Sequence, residues 1–455
     1  MAAYDCIVIG SGPGGYVAAI RAAQVGMNTA VVESADVVGG RCLNEACIPA
    51  KAVLRVADVK SEIDDAKDFG ITVDGSSVDF SAVAARRDKV IKTLTGGVSG
   101  LFKKNKIEVI SGEASLTGDG KVKVGDETHE AKMVILATGS VPKPVPGTTF
   151  GGRVIDTAGA WLTDEQPGSI AVVGAGASGV EIASAYARLG TKVMLLEALD
   201  RVVPTEDADI SKLVERGLKK QGMEIFTSTF VEEVKAGDDK VGFTYAGETA
   251  EVDHLCIAAG RGPDVEALNL NEAGIELDDN GLVKIDDMMQ TTRQGVYAIG
   301  DLVQGPALAH KASDQGVIAV EHVAGLNPQG LDYDDIPRAT FCTPNVASFG
   351  LTEEQAREQG YDVTVGKLQY GAVGAGTVYG DRTGLVKIVG ETKYGELLGG
   401  HIVGAKATEL IQELVNVRAL EGGYHEVAHI VHGHPTLSEA VMEAARAADG
   451  WLIHG

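Results

Sequence analysis

Two segments of the chain repeat one order of strand, glycine turn, helix and strand, and no other feature restricts the fold as much. In the first, residues 4–9 are apolar and β-branched, GSGPGG turns the chain into YVAAIRAAQVG, and TAVVE supplies a second strand. In the second, SIAVVGAGASGVEIASAYARLGTKVMLLE covers residues 169–197 in the same grammar. A strand returned to a parallel neighbour through a helix is a βαβ unit, and a chain that uses it twice is expected to hold two Rossmann-like dinucleotide-binding domains. From about Tyr333 the pattern becomes alternating strands (NVASFGLT, GLVKIVG, LLGGHIVG) and then helices from Ala407 onward, which reads as a separate α+β domain. The expected class is therefore α/β with an α+β C-terminal domain.

The glycines carry a ligand argument as well as a fold argument. Gly10, Gly12 and Gly15 make GxGxxG: the first for a tight turn, the second for close approach of a pyrophosphate, the third for close helix packing. Glu33 ends the second strand, where a carboxylate can bind a ribose hydroxyl pair. Gly174, Gly176, Gly179 and Glu197 repeat the set. Glycine turns without ligands are common, but strand, turn, helix and terminal acid together favour a nucleotide. Glu197 would repel a 2′-phosphate, so NAD is preferred to NADP, although Arg201 lies close by in sequence.

At 455 residues and 44% apolar composition the chain is expected to form about three domains. Its formal charge of -24 repels nucleic-acid phosphates and anionic lipid, so neither is an expected partner. No apolar run reaches spanning length, and MAAYDCIVIG reads as a first strand and not a signal peptide. Between the two units lie a helical stretch from about Cys47 to Phe102, short strands ending at MVILATGS, and VPKPVPG as a linker. DHLCIAAGRGPD and GVYAIGD, within residues 250–300, read as two strands by which the chain returns to the first domain.

The five cysteines, at positions 6, 42, 47, 256 and 342, are too scattered for a secreted disulfide scaffold, which makes a reducing cytoplasm the default compartment. Only Cys42 and Cys47, in GGRCLNEACIPAK, are close, and a lone close pair in such a compartment points to metal or redox chemistry. In an ideal α-helix residues five apart have Cα atoms roughly 8–9 Å apart, whereas a disulfide needs less than about 7 Å. If the two bond, residues 42–47 cannot be regular helix; the expectation is a distorted or just-starting helix with Pro49 in its first turn. Lys51 follows Cys47 by one turn and would bring an ammonium to the same face, the ordinary alternative being a surface lysine. Near the other end, HGHPTLSE holds His434 and, five residues on, Glu439. Thiol–disulfide exchange needs a base, and a carboxylate can orient an imidazole. His429 and His432 read as structural.

With these residues in view, the chain closely resembles the pyridine nucleotide–disulfide oxidoreductase family over essentially its whole length. The matching motifs are the first GxGxxG, CLNEACIPAK, ILATGS, the second glycine motif ending in Gly179-Val180-Glu181, AAGRGPD, VYAIGD, LAHKASDQG, TPNVASFGLTEEQA and HPTLSE. The resemblance implies FAD against Gly10, Gly12, Gly15, Glu33, Lys51, Thr138, Gly139 and Asp301, and NAD against Gly174, Gly176, Gly179, Glu197 and Gly260. It implies an FAD-binding domain from residues 1–147 and 270–332, an NAD-binding domain over 148–269, and an interface domain over 333–455. It further implies a Lys51–Glu181 pair beside the flavin, and a homodimer in which His434 and Glu439 act on the other subunit's cysteines. The implied reaction oxidises dihydrolipoamide on lipoylated carrier domains of 2-oxo acid dehydrogenase or glycine cleavage complexes. Electrons would pass through Cys42, which meets substrate, and Cys47, which meets flavin, to NAD.

The chain also departs from the family's usual GGTCLNVGCIPSK, with Arg41, Glu45, Ala46 and Ala50 in place of Thr, Val, Gly and Ser. Arg41 should favour a thiolate at Cys42 and Glu45 oppose one at Cys47, provided both side chains face the sulfurs. Ser178 stands where a larger apolar residue is usual in the nicotinamide site. Rival reductases of glutathione, mercuric ion or thioredoxin fit less well: no cysteine follows Cys342, and Glu197 argues against NADP. A redox-silent structural flavoprotein is the remaining alternative, opposed by the intact Cys42, Cys47 and His434.

Overall fold

β1 (Ala3–Ile9) and β2 (Thr29–Glu33) lie parallel, with Cys6 opposite Thr29 and Ile9 opposite Val32, and α1 (Pro13–Gln24) crosses between them. The computed structural model describes residues 3–455. β2 is buried along its whole length, as a strand covered on both faces must be, which is why TAVVE is almost continuously apolar. Pro13 opens α1, where a missing N–H removes no helical bond. The seven-stranded sheet runs Glu108–Ser111, β2, β1, Glu127–Leu136, Val122–Val124, Ala114–Leu116, with Val296–Ala298 also paired to Glu127–Leu136. The helix Ala309–Val323 packs on α1 through glycines: a Cβ on Gly316 would stand 2.9 Å from the carbonyl oxygen of Gly14, and one on Gly14 2.9 Å from that of Ala312. This close packing places Ala309–Val323 behind the first glycine turn.

The second βαβ repeats the first. Ser169–Val173 and Lys192–Leu196 are parallel around the helix Ala177–Arg188, in a five-stranded parallel sheet ordered Glu224–Phe226, Lys192–Leu196, Ser169–Val173, His254–Ile257, Val154–Asp156. The strand of DHLCIAAG thus belongs to the second sheet, and of the two expected returning strands only that of GVYAIGD joins the first. The return itself is a two-stranded antiparallel ribbon, Ser140–Pro142 against Arg261–Pro263. The first residues of the expected linker are therefore paired and not loose.

After the short helix α2 (Gly40–Asn44), the segment read as one helical stretch from Cys47 to Phe102 is α3 (Cys47–Asp65), a 3₁₀ turn at Ala66–Phe69, and a separate helix Phe80–Lys104. Gly70, in the left-handed region at φ 77, ends the first part, a backbone state that stops a helix. The C-terminal sheet is antiparallel, ordered Arg338–Thr340, Val346–Gly350, Leu397–Val403, Leu385–Glu391, Val363–Gln369, and the first following helix starts at Ala407. Its strands Leu385–Glu391 and Leu397–Val403 are wholly buried. Lys387 sits within this apolar run because its ammonium meets Asp207 (2.8 Å), Asp209 (2.9 Å) and Glu353 (2.9 Å). A buried charge persists only when paired in this way.

By its contacts the chain divides into two compact units. One is Met1–Ala52, Ser81–Lys143 and Gly260–Tyr333; the other is Val53–Phe80, Pro144–Ala259 and Asp334–Gly455. The first contains β1, β2, Cys42 and Cys47; the second contains the second βαβ, His434 and Glu439. Among the described residues no helix is long and apolar enough to cross a membrane.

Candidate active site

The two glycine turns agree almost atom for atom. Gly10 takes φ 100 and a Cβ there would lie 2.5 Å from the carbonyl oxygen of Ala137; Gly174 takes φ 98 and its Cβ would lie 2.8 Å from that of Ala258. A Cβ on Gly15 would stand 1.9 Å from the Gly10 carbonyl oxygen, and one on Gly179 1.8 Å from that of Gly174, so any side chain would force helix and strand apart. Gly12 and Gly176, at the helix N-caps, instead have nothing within 4 Å of the Cβ position. The outer glycines serve packing; the middle ones leave open space beside a helix N-terminus, where an anion is favoured.

The terminal carboxylates are held alike. Glu33 accepts from the backbone N–H of Ser11 (3.0 Å) and of Ala35 (3.0 Å), and Glu197 from that of Ala175 (2.6 Å) and of Leu199 (2.9 Å). The first frame adds the Ser11 hydroxyl, which donates to Glu33 and accepts from Gly39 N–H at 2.9 Å. Ser11 was not singled out in the sequence; the signal was present as the one polar residue in a turn whose copy carries Ala175. Arg201 does not turn to Glu197: its guanidinium reaches the carbonyl of Pro204 (3.4 Å) and Glu354 (3.9 Å).

Cys42 lies in α2 and Cys47 opens α3, and between them Glu45 leaves helical geometry at φ -131. The expected break in the helix is there, and Pro49 stands in the first turn of α3. The two cysteines are not joined by a disulfide, and Cys42 is hydrogen-bonded to the Cys47 side chain. That hydrogen bond, then burial, pushes the Cys42 thiol far above its ordinary value, while the Lys51 ammonium pulls it down. Lys51, one turn after Cys47, is thus near enough for its charge to act on Cys42.

The unusual neighbours Arg41 and Glu45 pair with each other. Arg41 Nε pairs with Glu45 Oε2 at 3.2 Å across one helical turn, and Arg41 Nη1 donates to the carbonyl of Ser140 at 3.3 Å. Each charge therefore has the other as a partner, and the Arg41 charge also lowers the Asp264 carboxyl against its burial. The carbonyl of Ser140 also accepts from Arg261, whose Nε donates to the Ser140 hydroxyl at 2.8 Å, and that hydroxyl donates to Asp301. Arg261 and Ser140 are not among the expected site residues, although both lie inside the motifs AAGRGPD and ILATGS. Thr138 Oγ1 donates to the carbonyl of Asp264 at 2.6 Å, and Gly139 accepts from Asp264 N–H at 3.0 Å with φ 82, tying the ATGS turn to the returning ribbon. The Gly260 carbonyl accepts from Lys143 N–H at 3.1 Å.

In the second unit, Glu181 is buried and accepts from the backbone N–H of Phe341 at 2.8 Å. His434 Nδ1 meets Glu439 Oε1 at 2.9 Å, and Glu439 Oε2 accepts from Thr436 N–H at 2.9 Å. Burial pushes the Glu439 carboxyl up, but the Thr436 N–H and His434 together hold it below its ordinary value, so it is a carboxylate at neutral pH. His432 has a carboxylate of its own, Glu413, which raises its pKa. Exposure separates the two: the His434 side chain is 75% exposed and that of His432 5%. Of the pair, only His434 presents a ring nitrogen to the outside while its other nitrogen is fixed.

Two dinucleotide frames with a dithiol at the first define an oxidoreductase of the disulfide-exchanging class. Residues 4–316 match the family model described as "Pyridine nucleotide-disulphide oxidoreductase" and residues 336–445 that family's dimerisation domain. A "Dihydrolipoyl dehydrogenase" of Bacillus subtilis (strain 168) is 41% identical over 99% of this chain and 97% of its own, and one of Mycobacterium leprae (strain TN) 43% identical over 100% of both. Among solved structures, LpdA from Mycobacterium tuberculosis superposes with a TM-score of 0.90 at 27% identity, covering 97% of this chain and 99% of that one. The "HOCl-induced flavoprotein disulfide reductase RclA" from Escherichia coli gives 0.87 at 27% identity, covering 98% and 100%. The chain belongs to the pyridine nucleotide–disulfide oxidoreductase family.

Proposed function

We propose that the chain is a dihydrolipoyl dehydrogenase that oxidises protein-bound dihydrolipoamide, with FAD on the first glycine frame and NAD on the second. The observation that carries this reading is the Cys42–Cys47 thiol pair, hydrogen-bonded at a helix break under the charge of Lys51. The frames suit dinucleotides: open space at Gly12 and Gly176 beside helix N-termini, and a carboxylate fixed by two backbone N–H groups at the end of each second strand. When bound, FAD would take an electron pair from the cysteine pair and deliver it to NAD.

On this reading His434 is the base. With Nδ1–H donating to the Glu439 carboxylate, Nε2 is the acceptor and removes a proton from a substrate thiol. The resulting thiolate attacks Cys42 Sγ of the disulfide, the Cys42–Cys47 bond breaks, and Cys47 leaves as a thiolate. The second substrate thiol then displaces Cys42, closing the lipoyl disulfide; one S–S bond is broken and one formed, and two electrons have moved to the cysteine pair. Lys51 stabilises the negative charge left there. The matched dimerisation domain supports a homodimer, in which His434 and Glu439 serve the cysteines of the second copy. The further assignment of residues 1–147 and 270–332 to FAD, 148–269 to NAD and 333–455 to the interface, with Lys51 beside Glu181, is part of the same proposal. The partners would be lipoylated carrier domains of 2-oxo acid dehydrogenase or glycine cleavage complexes, in the cytoplasm.

Steady-state assay of the purified holoenzyme tests the reading. Dihydrolipoamide should reduce NAD with kcat/KM at least about tenfold above that for NADP, because Glu197 sits where a 2′-phosphate would fall. Reduction of glutathione disulfide by NADPH, without dihydrolipoamide activity, would place the chain with the rival reductases, and a yellow but inert protein would favour the structural flavoprotein.

A further inference from the structure

The most deeply buried cation in the first unit has no part in the mechanism above. Lys311, in the first turn of the helix Ala309–Val323, is 1% exposed. Its ammonium donates to two neutral carbonyls, those of Gly300 (2.9 Å) and Gln304 (3.0 Å). One turn further along the helix, Gln315 Oε1 accepts from Gly300 N–H at 2.8 Å while its Nε2 donates to Tyr333 Oη at 3.0 Å. Both peptide groups of Gly300 are therefore held from one face of one helix, and Gly300 itself sits at φ 72, which a side chain rarely adopts. The residue so fixed precedes Asp301, the carboxylate that also accepts from Ser140.

A lysine in this place works against two general preferences. Burial without a directly bonded carboxylate disfavours an ammonium, and so does the positive end of a helix. Its pKa is pushed down to about 8 by burial, with Asp301 holding it up. An apolar residue of similar length would fill the space without that penalty, but it would leave the Gly300 and Gln304 carbonyls without this donor. We propose that Lys311 is a positioning residue for the flavin dinucleotide, its charged ammonium fixing the Gly300–Asp301 turn in the form that receives the cofactor. This rests on the reading that the first frame binds FAD. It assigns to the LAHKASDQG motif a task that its match to the family did not specify.

The inference has a signature that simple packing lacks. Hydrogen bonds from a charged donor are roughly twice as strong as those from a neutral one, so the hold weakens as Lys311 loses its proton. The groups that face it are Asp301 on the Gly300–Leu302 turn and Tyr333, whose pKa burial raises. Asp286, Asp287 and Asp332 line a cleft of about 300 Å³ with Gln304 and Tyr333. His310 and Asp314 flank it on its own helix. FAD dissociation from the holoenzyme, followed by flavin fluorescence between about pH 7 and pH 9.5, reads the effect. In the unaltered chain the dissociation constant should rise several-fold across that range. Lys311→Met should be about tenfold weaker at pH 7 and show no slope, and Lys311→Arg, which keeps its charge, should show no slope either. A flat profile in the unaltered chain overturns the proposal even if Lys311→Met does not fold, and so does a slope that survives in Lys311→Met. A chain that takes up no FAD at any pH would instead refute the underlying assignment of the first frame.

Discussion

Cys42→Ser is expected to abolish NAD reduction by dihydrolipoamide while leaving the protein folded and flavin-loaded. The substitution removes one atom type from a half-buried position in α2 and leaves the glycine frame untouched. What it removes is the sulfur that substrate thiolate attacks, and with it the only disulfide the pair can form. On the proposed assignment Cys47 then remains as a lone thiol beside the flavin, with Lys51 one turn further along α3. A long-wavelength charge-transfer band from its thiolate to oxidised flavin should appear without any reductant. If the band appears in Cys47→Ser and not in Cys42→Ser, the two cysteines have exchanged roles.

His434→Gln should lower turnover of dihydrolipoamide by about 10²–10⁴-fold, the usual worth of a positioned general base. Gln keeps a polar side chain of similar reach and can still donate to Glu439, so Thr436 N–H keeps its carboxylate acceptor and the first turn of Ser438–Ala448 its acidic residue. It cannot take a proton. Oxidation of NADH by an artificial electron acceptor, which needs no thiol base, should therefore change little. Equal losses in both assays would make His434 a structural residue. His432→Gln is the matched control: its ring is buried against Glu413, and its loss should lower stability more than it alters the ratio of the two activities.

Much of this arrangement is legible in the sequence because glycine has few reasons to recur at fixed spacing. Gly10, Gly15, Gly174 and Gly179 each occupy a point where a Cβ would overlap a backbone carbonyl, so their spacing alone marks the repeat as two frames. The break at Glu45 is legible for a similar reason, since geometry forbids a bonded pair five residues apart in an unbroken helix. The pairing of Arg41 with Glu45 is not, because the reach of two long flexible side chains depends on where the Ser140 carbonyl stands, some hundred positions away. Lys311, Lys387 and Ser11 escape a reading of the sequence for a related reason. Each is a polar residue whose meaning lies in a partner supplied by another element: the Gly300 carbonyl, Asp207, and Glu33. Which sheet the strand of DHLCIAAG and that of GVYAIGD each join is not legible, because two apolar strands ending in glycine look alike until their neighbours are known.

The central claim is that electrons pass between the nicotinamide nucleotide and the cysteine pair at positions 42 and 47. Anaerobic thiol trapping after addition of NADH to the oxidised holoenzyme tests it most directly. The peptide carrying Cys42 and Cys47 should be unlabelled before NADH and carry two labels after it, with Cys6, Cys256 and Cys342, all buried, unlabelled in both states. Reduction of the flavin by NADH with Cys42 and Cys47 unchanged would contradict the account.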